Sequence, residues 1–355
     1  QTVPDGWLSM TDPVNPSETI IFQDNDFQDL AYQSGLQQNY YLSADGGSEK
    51  IRYAAGVGYT NNEGIGISTS WNRFSGRANV DFHLRDNLVL STMMDHSSGY
   101  SDFYTNQRNM FGRSMWLVPT ARVYMDDGSY ALGNNATYTV PMWYNEVNVV
   151  DRYEYRTHLG SSLKWEIIEG LEAVVTGDYY TFSSTFETFY KANPYAGSRE
   201  TTFAYDQNKR IQVEGFVTYN KTFSDQHHLN VVLGASELYW QHLDTEMEAF
   251  GGSTDKIMTL NAAPEKVEAF TYRTEELLIG YFGRINYDFR NKYLLGLSLR
   301  RDVSSRFAPE NQVGYFPGVS AGWIVSEESF LNDNTLISTL KLRGSYGQTG
   351  NNAVG

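Results

Sequence analysis

The sequence predicts an all-β protein, specifically an antiparallel transmembrane β-barrel. Three observations predict this fold class: apolar and polar residues alternate along many segments, tight turns alternate with long connections, and aromatic residues make up 15% of the chain. Glycine is common and proline is scarce, at 31 and 9 of 355 residues, which suits long strands joined by turns. The pattern indicates on the order of twelve strands.

The clearest hairpin lies in "YFGRINYDFRNKYLLGLSLR". One parity of its first strand holds Tyr281, Ile285, Tyr287 and Phe289, and the other holds Arg284, Asn286 and Asp288. Residues 290–292 form a tight turn, after which Tyr293, Leu295, Leu297 and Leu299 continue an apolar face. Since side chains alternate between the two faces of a strand, we expect one apolar and one polar face.

The same pattern recurs elsewhere in the chain. Tight turns are predicted at residues 85–87, 168–170 and 224–226, and an earlier hairpin joins "NYYLSADGG" to "KIRYAAGVGYT". The last strands are expected near residues 314–325 and 340–347. Long connections are expected at residues 96–155, 183–209 and 238–274.

Short turns at one end and long loops at the other are typical of outer-membrane barrels. Five aromatic residues lie near predicted strand ends, where amphipathic rings contact lipid headgroups: Tyr281, Tyr287, Tyr293, Tyr315 and Trp323. A soluble β-sandwich with these rings in its core is the alternative.

Charge and composition exclude several functions. The net charge is -15, with no cysteine, so disulfides, thiolate metal sites and cysteine nucleophiles are excluded, and a nucleic-acid partner is disfavoured. Mean hydropathy is -0.46, which looks soluble, yet a membrane β-strand needs only about ten alternating residues. The first residues lack the features of a signal peptide, so we expect a removed leader or an internal fragment.

Three stretches carry a family resemblance. Residues 298–330, "SLRRDVSSRFAPENQVGYFPGVSAGWIVSEESF", resemble the barrel signature of the SusC/RagA family of TonB-dependent outer-membrane transporters. That signature reads S-x-R-x-D-G-S-S-R-F, then G-x-F-P-S-x-S-x-G-W and S-E-E. "QQNYYLSADGGSEKIRYAAGVGYTNNEGI" and "LKLRGSYGQTGNN" resemble the same family in the same order. Val303, Gln312 and Gly318 depart from the pattern.

The resemblance implies an incomplete arc of a roughly 22-stranded barrel. Residues 1–36 would be a lead-in segment between early barrel elements, and residues 37–355 a partial barrel with long extracellular loops, the plug domain being absent from this chain. Further implications are the outer membrane of a Bacteroidota-type bacterium and TonB-dependent import of an oligosaccharide or peptide. The implied partners are a SusD-like surface lipoprotein, outer-membrane lipid, and the TonB complex through an N-terminal region that this chain lacks.

Two rival functions belong to other classes. One is a soluble or surface-anchored β-rich glycan-binding or adhesin module, and the other is an outer-membrane enzyme. The enzyme lacks a visible nucleophile, base or metal cluster, so we expect no catalytic residues, no metal and no cofactor. His227 and His228 point to opposite faces of a strand and cannot readily share an ion. The segment Asp24–Asp29 lacks the glycine of a calcium loop.

Two groups of residues are predicted to contact a ligand or line its path. Exposed rings beside hydrogen-bonding groups suit a sugar or peptide, and the long loop carries Trp116, Tyr124, Tyr130, Trp143 and Tyr144. Alternatively these rings pack the loop against itself or a partner. The expected lumen-facing residues are Arg77, Asp81, Arg284 and Asp288. A third group, Arg300, Arg301, Asp302 and Arg306, is expected to form a polar network inside the barrel.

In the last hairpins the alternation also assigns faces. Lipid-facing residues are expected to be Leu295, Leu297, Leu299, Tyr315, Val319 and Trp323. Residues facing the lumen or plug are expected to be Ser298, Arg300, Gly318 and Ser320.

Overall fold

The computed structural model describes residues 2–102, 107–133, 139–263, 266–331 and 337–352. Its strands are Leu8–Thr11 (β1), Thr19–Phe22 (β2), Gln37–Gly47 (β3), Ile51–Glu63 (β4), Ser70–Arg85 (β5), Leu88–Asp102 (β6), Asn148–Ile168 (β7), Leu171–Tyr190 (β8), Glu200–Phe223 (β9), His227–Phe250 (β10), Lys266–Phe289 (β11), Tyr293–Ser304 (β12), Val313–Ile324 (β13) and Lys341–Gly347 (β14). Its α-helices are Phe27–Ala31 (α1), Gln107–Trp116 (α2) and Tyr144–Val147 (α3). Short 3-10 turns cover Pro141–Trp143, Leu260–Ala262, Pro309–Asn311 and Val325–Glu327.

Strands β3 to β14 form one antiparallel sheet in which every strand pairs with its neighbours in sequence. This sheet has 12 strands in the described part of the chain, and β1 and β2 form a separate hairpin. Such a meander satisfies the backbone groups of each inner strand on both edges. It is the all-β antiparallel architecture, with about twelve strands, that the alternation predicts.

Tight turns join β3 to β4, β5 to β6, β7 to β8, β9 to β10 and β11 to β12 at one end of the sheet, where the sequence predicts them, whereas β13 ends at Ile324 and β14 begins only at Lys341. Two of these turns contain consecutive residues in the left-handed region: Ser224 and Asp225 at φ 52° and 54°, and Arg290 and Asn291 at φ 58° and 55°. Two successive residues with positive φ give the turn twist that matches paired strands. Asp288 stabilises the second turn, since its Oδ1 accepts a hydrogen bond from the Asn291 backbone N–H at 2.7 Å.

The predicted long connections include residues that belong to strands in the structure. Strand β6 continues to Asp102 and β7 begins at Asn148, so the loop predicted for residues 96–155 begins and ends inside paired strands. The other two long connections likewise shrink to residues 191–199 and 251–265. The physical reason is that backbone pairing persists after the apolar alternation has ended, and alternation was the only signal for strand available in the sequence.

Register separates the side chains of the sheet into two faces. One cross-strand row consists of Val231, Ile285, Leu297 and Val319. The adjacent row, one residue further on, consists of Val232, Arg284, Ser298 and Gly318. We call the face that carries the first row the apolar face and the other the polar face. The residues of the last hairpins that were assigned to lipid and to lumen separate onto these two faces respectively.

Aromatic rows bound the apolar face at both ends. Near the tight turns Tyr293 pairs with Trp323. Eight residues further along β12, Arg301 lies between Tyr281 and Tyr315 in the cross-strand register. At about 3.4 Å per residue the rows are roughly 27 Å apart along a strand, and a tilted strand projects this onto an apolar belt close to the roughly 25 Å expected for an outer-membrane barrel.

A glutamate stabilises the aromatic row near the tight turns, which consists of Tyr293 and Trp323. The Glu328 carboxylate follows β13 and accepts hydrogen bonds from the Tyr293 hydroxyl at 2.6 Å and the Trp323 indole N–H at 3.0 Å. Lys292 Nζ lies 3.4 Å from its other oxygen. These donors, Tyr293 first, lower the pKa of the Glu328 carboxyl. The second glutamate of the S-E-E motif therefore fixes the rings at the turn end of the sheet.

A charge placed in the middle of the apolar face should destabilise the protein. Leu297 lies midway between the aromatic rows, and we expect Leu297→Arg to lower the free energy of unfolding by about 2–4 kcal/mol. In the intact protein, the measurement is the thermal unfolding temperature and the fraction assembled in the outer membrane. Ser298→Arg, one residue away on the polar face, is the control and should lose much less. Equal losses would contradict the assignment of faces.

The Glu328 clamp should depend on pH. Because its folded-state pKa is lowered, its contribution is fully present above the ordinary glutamate pKa and is lost as pH falls through the folded-state value. We therefore expect Glu328→Gln to lower the thermal unfolding temperature at pH 7, and the difference from the parent to shrink towards about pH 3. The exposed neighbour provides the control Glu327→Gln, which should change little. A pH-independent difference would show that charge is not what Glu328 contributes.

Candidate functional site

The long loop between β6 and β7 folds into a compact assembly with the lead-in segment. Helix α1 buries Phe27 and Ala31 against Met110 of α2 and Met142. Asp26 caps α1 by accepting hydrogen bonds from the backbone N–H groups of Gln28 and Asp29 at 2.8 and 3.2 Å. We call this unit, residues 2–36 with the described parts of 107–147, the loop assembly. Its core explains why this loop holds a defined shape at the open end of the sheet.

The contacts that close the loop assembly join residues far apart in sequence. Asn25 donates from its backbone N–H to the Pro119 carbonyl and from its side-chain amide to the Ala121 carbonyl, both at 2.9 Å. The Arg122 guanidinium lies over the Trp7 ring, 5.9 Å from its centroid. The lead-in segment is therefore a structural part of the loop.

Two of the five predicted ligand-contacting rings are engaged inside the assembly. Trp143 is only 7% exposed, and its ring packs edge-on against Tyr144 and Tyr195 at centroid distances of 5.2 and 5.5 Å. The Tyr144 hydroxyl accepts a hydrogen bond from Arg113 at 2.7 Å, and the Arg113 guanidinium lies over its ring. These contacts fit the alternative reading in which the rings pack the loop, and Trp143 offers no open ring face in this conformation.

The other three rings lie nearer the surface. Tyr124 and Tyr130 stack on each other at 5.2 Å, with Tyr124 half exposed. Trp116, the last residue of α2, is 72% exposed. Of the five, Trp116 and Tyr124 present the surface that a ligand or a partner protein can reach.

The four predicted wall residues lie on the polar face but in two separate places. Arg77 and Asp81 are four residues apart on β5, and Arg77 lies 3.5 Å from the Tyr41 hydroxyl. Arg284 and Asp288 lie on β11, six strands away in the sheet order, or roughly 29 Å at about 4.8 Å per strand. They do not form one site, and one oxygen of Asp288 is already occupied by the turn.

A groove of about 720 Å³ opens on the polar face near the tight turns. Asp288, His228, Asn230 and Arg343 contribute to its lining. Asn230 donates to Asn220 at 2.7 Å and accepts from Asn286 at 3.1 Å, so a row of side-chain amides crosses three strands there. The groove is polar and open, and its hydrogen-bonding groups are already arranged by the register.

Sequence reasoning missed an ionic network in the middle of the polar face. Asp178 on β8 bridges two strands, since its carboxylate contacts His158 on β7 and Arg210 on β9. The Arg210 guanidinium also lies over the Tyr180 ring at 5.6 Å. These residues are 20 and 32 positions from Asp178, so only the strand register brings them together.

A second missed cluster lies on the polar face of β9 and β10. The rings of Trp240 and His242 stack at 6.0 Å with an interplanar angle of 4°. His242 Nδ1 lies 3.4 Å from the Asp206 carboxylate. An aromatic plane beside a carboxylate provides both stacking and hydrogen bonding, so this cluster resembles a ligand-contacting surface more closely than any of the predicted wall residues.

Acidic side chains form hydrogen bonds near the open ends of the strands, beyond the apolar belt. Glu200 near the open end of β9 has a raised pKa, first because of burial and second because of its hydrogen bond with Glu248 on β10. On the other face Tyr100 donates a hydrogen bond to Asp151 at 2.6 Å, which raises the pKa of the Tyr100 hydroxyl. The open ends of the strands are therefore held by hydrogen bonds at acidic groups.

The described parts of the chain contain no cluster of three His, Asp or Glu side chains arranged to hold a metal ion. Within those same parts, no helix is both long and apolar enough to cross a membrane.

Curated relatives align with nearly all of the chain. It is 29% identical over 338 residues to "TonB-dependent receptor P39" of Formosa agariphila, covering 93% of this chain and 32% of the relative. It is 26% identical to "TonB-dependent receptor SusC" of Bacteroides thetaiotaomicron over 363 residues, covering 93% of this chain and 35% of that protein. The chain thus spans about a third of the length of these relatives. No family model matches it.

Solved structures show the same fold. The RagAB peptide transporter superposes with a TM-score of 0.80 at 18% identity, covering 94% of this chain and 39% of the matched chain. The outer-membrane transporter YddB from Escherichia coli superposes with a TM-score of 0.54 at 8% identity, covering 88% and 38%. These superpositions confirm the predicted fold, an incomplete arc of a larger antiparallel β-barrel. The relatives are receptors and transporters rather than enzymes, and with three sequence motifs, the curated alignments and the fold in agreement, the chain is similar to the SusC/RagA family of TonB-dependent outer-membrane proteins.

Proposed function

We propose that the protein containing this chain imports an oligosaccharide or a peptide across the outer membrane in a TonB-dependent manner. The observation that carries this proposal is the alignment of 93% of the chain with TonB-dependent receptors. The two-faced sheet supports it, since an apolar outer face and a polar inner face suit a protein that encloses a path through lipid. The reaction makes and breaks no covalent bond, so it requires no catalytic residue.

The polar face would form part of the wall of that path. Arg77, Asp81, Arg284 and Asp288 would line the lumen, as the sequence predicts. The network around Asp178 would hold the same wall rigid, because each of its side-chain contacts crosses a strand boundary. Fixed charges and amides in this arrangement suit a polar substrate better than an apolar one.

The loop assembly would form part of the outward-facing entrance. Its exposed rings Trp116 and Tyr124 would contact the substrate or a SusD-like lipoprotein that covers the entrance. Tyr130, Trp143 and Tyr144 would act indirectly, by holding the assembly in shape. The TonB complex would supply the energy for uptake.

The alternative is a soluble or surface-anchored β-rich binding module. The exposed apolar face speaks against it, because Leu42, Leu233 and Leu299 are 73, 62 and 52% exposed. Apolar patches of such extent are rare on soluble monomers. If the intact protein stays monomeric and cooperatively folded in buffer without detergent, the binding module is correct and the import proposal fails.

The direct test is uptake by cells that carry the intact gene. We expect deletion of the gene, or of TonB, to abolish growth on one class of nutrient supplied as defined oligosaccharide or peptide pools. Growth on the corresponding monosaccharides or free amino acids should be unaffected, because these do not need the large pore. Unchanged growth and uptake on all pools would contradict the proposal.

Trp116 should matter more than its neighbours for capture at the entrance. We expect Trp116→Ala to weaken binding of the nutrient pool identified above, or of the lipoprotein, by about tenfold, since loss of one exposed aromatic anchor costs on the order of 1.4 kcal/mol. Isothermal titration of the purified receptor measures both. Met115→Ala is the matched control, because Met115 is 60% exposed on the same helix. Equal losses in both variants would show that the ring has no specific role.

A further inference from the structure

An arginine lies among tyrosines at the upper edge of the apolar face. Arg301 on β12 pairs with Tyr281 on β11 and with Tyr315 on β13. Its guanidinium lies over the Tyr281 ring, 5.8 Å from the centroid. Both tyrosines are more than half exposed, at 52 and 59%. The row therefore presents one positive charge between two amphipathic rings at the level where the apolar belt ends.

Directly below this row the apolar face contains a groove of about 500 Å³. Gly283 lies in the register between Leu233 and Leu299, and Leu233 Cδ2 leans over it, 3.1 Å from where a Cβ would stand, so that the groove floor is low at this point. The groove is bounded by Leu233, Ile285, Leu297, Leu299, Pro317 and Val319. Gly283 is two residues from Tyr281, so the groove begins roughly 7 Å below the guanidinium along the strand.

The charge on Arg301 is uncompensated within the described part of the chain, where no carboxylate pairs with it. The contrast is the adjacent Arg300 on the polar face, whose Nε donates to Asp302 at 2.9 Å and whose NH2 lies 3.4 Å from Ser236 Oγ. A cation at the edge of hydrocarbon is costly unless an anion accompanies it. The planar guanidinium binds phosphate oxygens in a bidentate manner.

We propose that Arg301, its flanking tyrosines and the Gly283 groove bind a phosphate-bearing lipid of the outer leaflet. An acyl chain occupies the groove, and a headgroup phosphate contacts Arg301. The long loops mark the outward end of the strands, which places this row at the outer-leaflet headgroups. The site lies on the opposite face from the substrate path and is independent of transport.

The cation at position 301 is a feature of this chain. In the S-x-R-x-D signature, Arg300 occupies the arginine position, and Arg301 occupies the following variable position. The signature therefore does not require a cation on the apolar face, and its presence here needs a reason of its own.

The test uses the intact receptor, purified in detergent and freed of lipid. The probes are bisphosphorylated lipid A and the same lipid A without phosphates, and native mass spectrometry measures binding of each. We expect the parent protein to bind the phosphorylated form about tenfold more tightly, and millimolar inorganic phosphate alone not to displace it, because the acyl chains anchor the lipid. Equal affinity of the parent protein for the two forms would overturn the proposal. Displacement of the lipid by inorganic phosphate would also overturn it, because the site would then bind an anion and not a lipid.

Variants separate the headgroup contact from the groove. Arg301→Gln should remove the preference for the phosphorylated form, and Arg301→Lys should restore part of it. Gly283→Leu, which fills the groove, should weaken both forms equally. Arg52→Gln removes the same charge from the polar face of β4, far from the groove, and should bind both forms like the parent. Each variant is first compared with the parent in lipid-free thermal unfolding. Parent-like discrimination by a folded Arg301→Gln protein would contradict the proposal.

Discussion

The fold depends on one constraint: in hydrocarbon, each backbone N–H and C=O must find its partner within the sheet. Strands β9, β10 and β11 meet it with a register that runs unbroken through 24 residues on both sides of β10. A shift of one residue would turn every lipid-facing side chain into the lumen. Pairing of the backbone therefore fixes the two faces, and the two faces fix where every charge and ring lies.

Strand length exceeds what a membrane requires. About ten residues cross a bilayer as a tilted strand, whereas β9, β10 and β11 each have 24. The remaining fourteen or so residues extend roughly 45 Å along the strand beyond the apolar belt. Polar and charged side chains in that region contribute to a mean hydropathy of -0.46 and a net charge of -15. The extensions also carry the loop assembly away from the bilayer.

Local signals could be predicted from the sequence, and contacts between distant residues could not. The turns at residues 224–226 and 290–292 and the last two strands lie where the alternation and turn residues place them, because those signals act over a few positions. The loop limits were wrong, because alternation fades where pairing continues. The burial of Trp143 depends on Tyr195, and the Asp178 network on residues 20 and 32 positions away, so neither could be inferred without register.

Arg300 and Arg301 are identical neighbours on β12, yet strand geometry places them in different environments. The sequence groups both into one polar network with Asp302 and Arg306. That grouping is wrong for Arg301, because successive residues of β12 lie on opposite faces of the sheet, Arg300 on the polar face and Arg301 on the apolar face. Arg300 forms an ion pair with Asp302 on its own face, and Arg306 forms one with Glu276. Arg301, in contrast, lies between two tyrosines and contacts the Tyr281 ring. A cation in that position requires its counter-charge from outside the protein, and at the rim of the apolar belt the membrane is the nearest source.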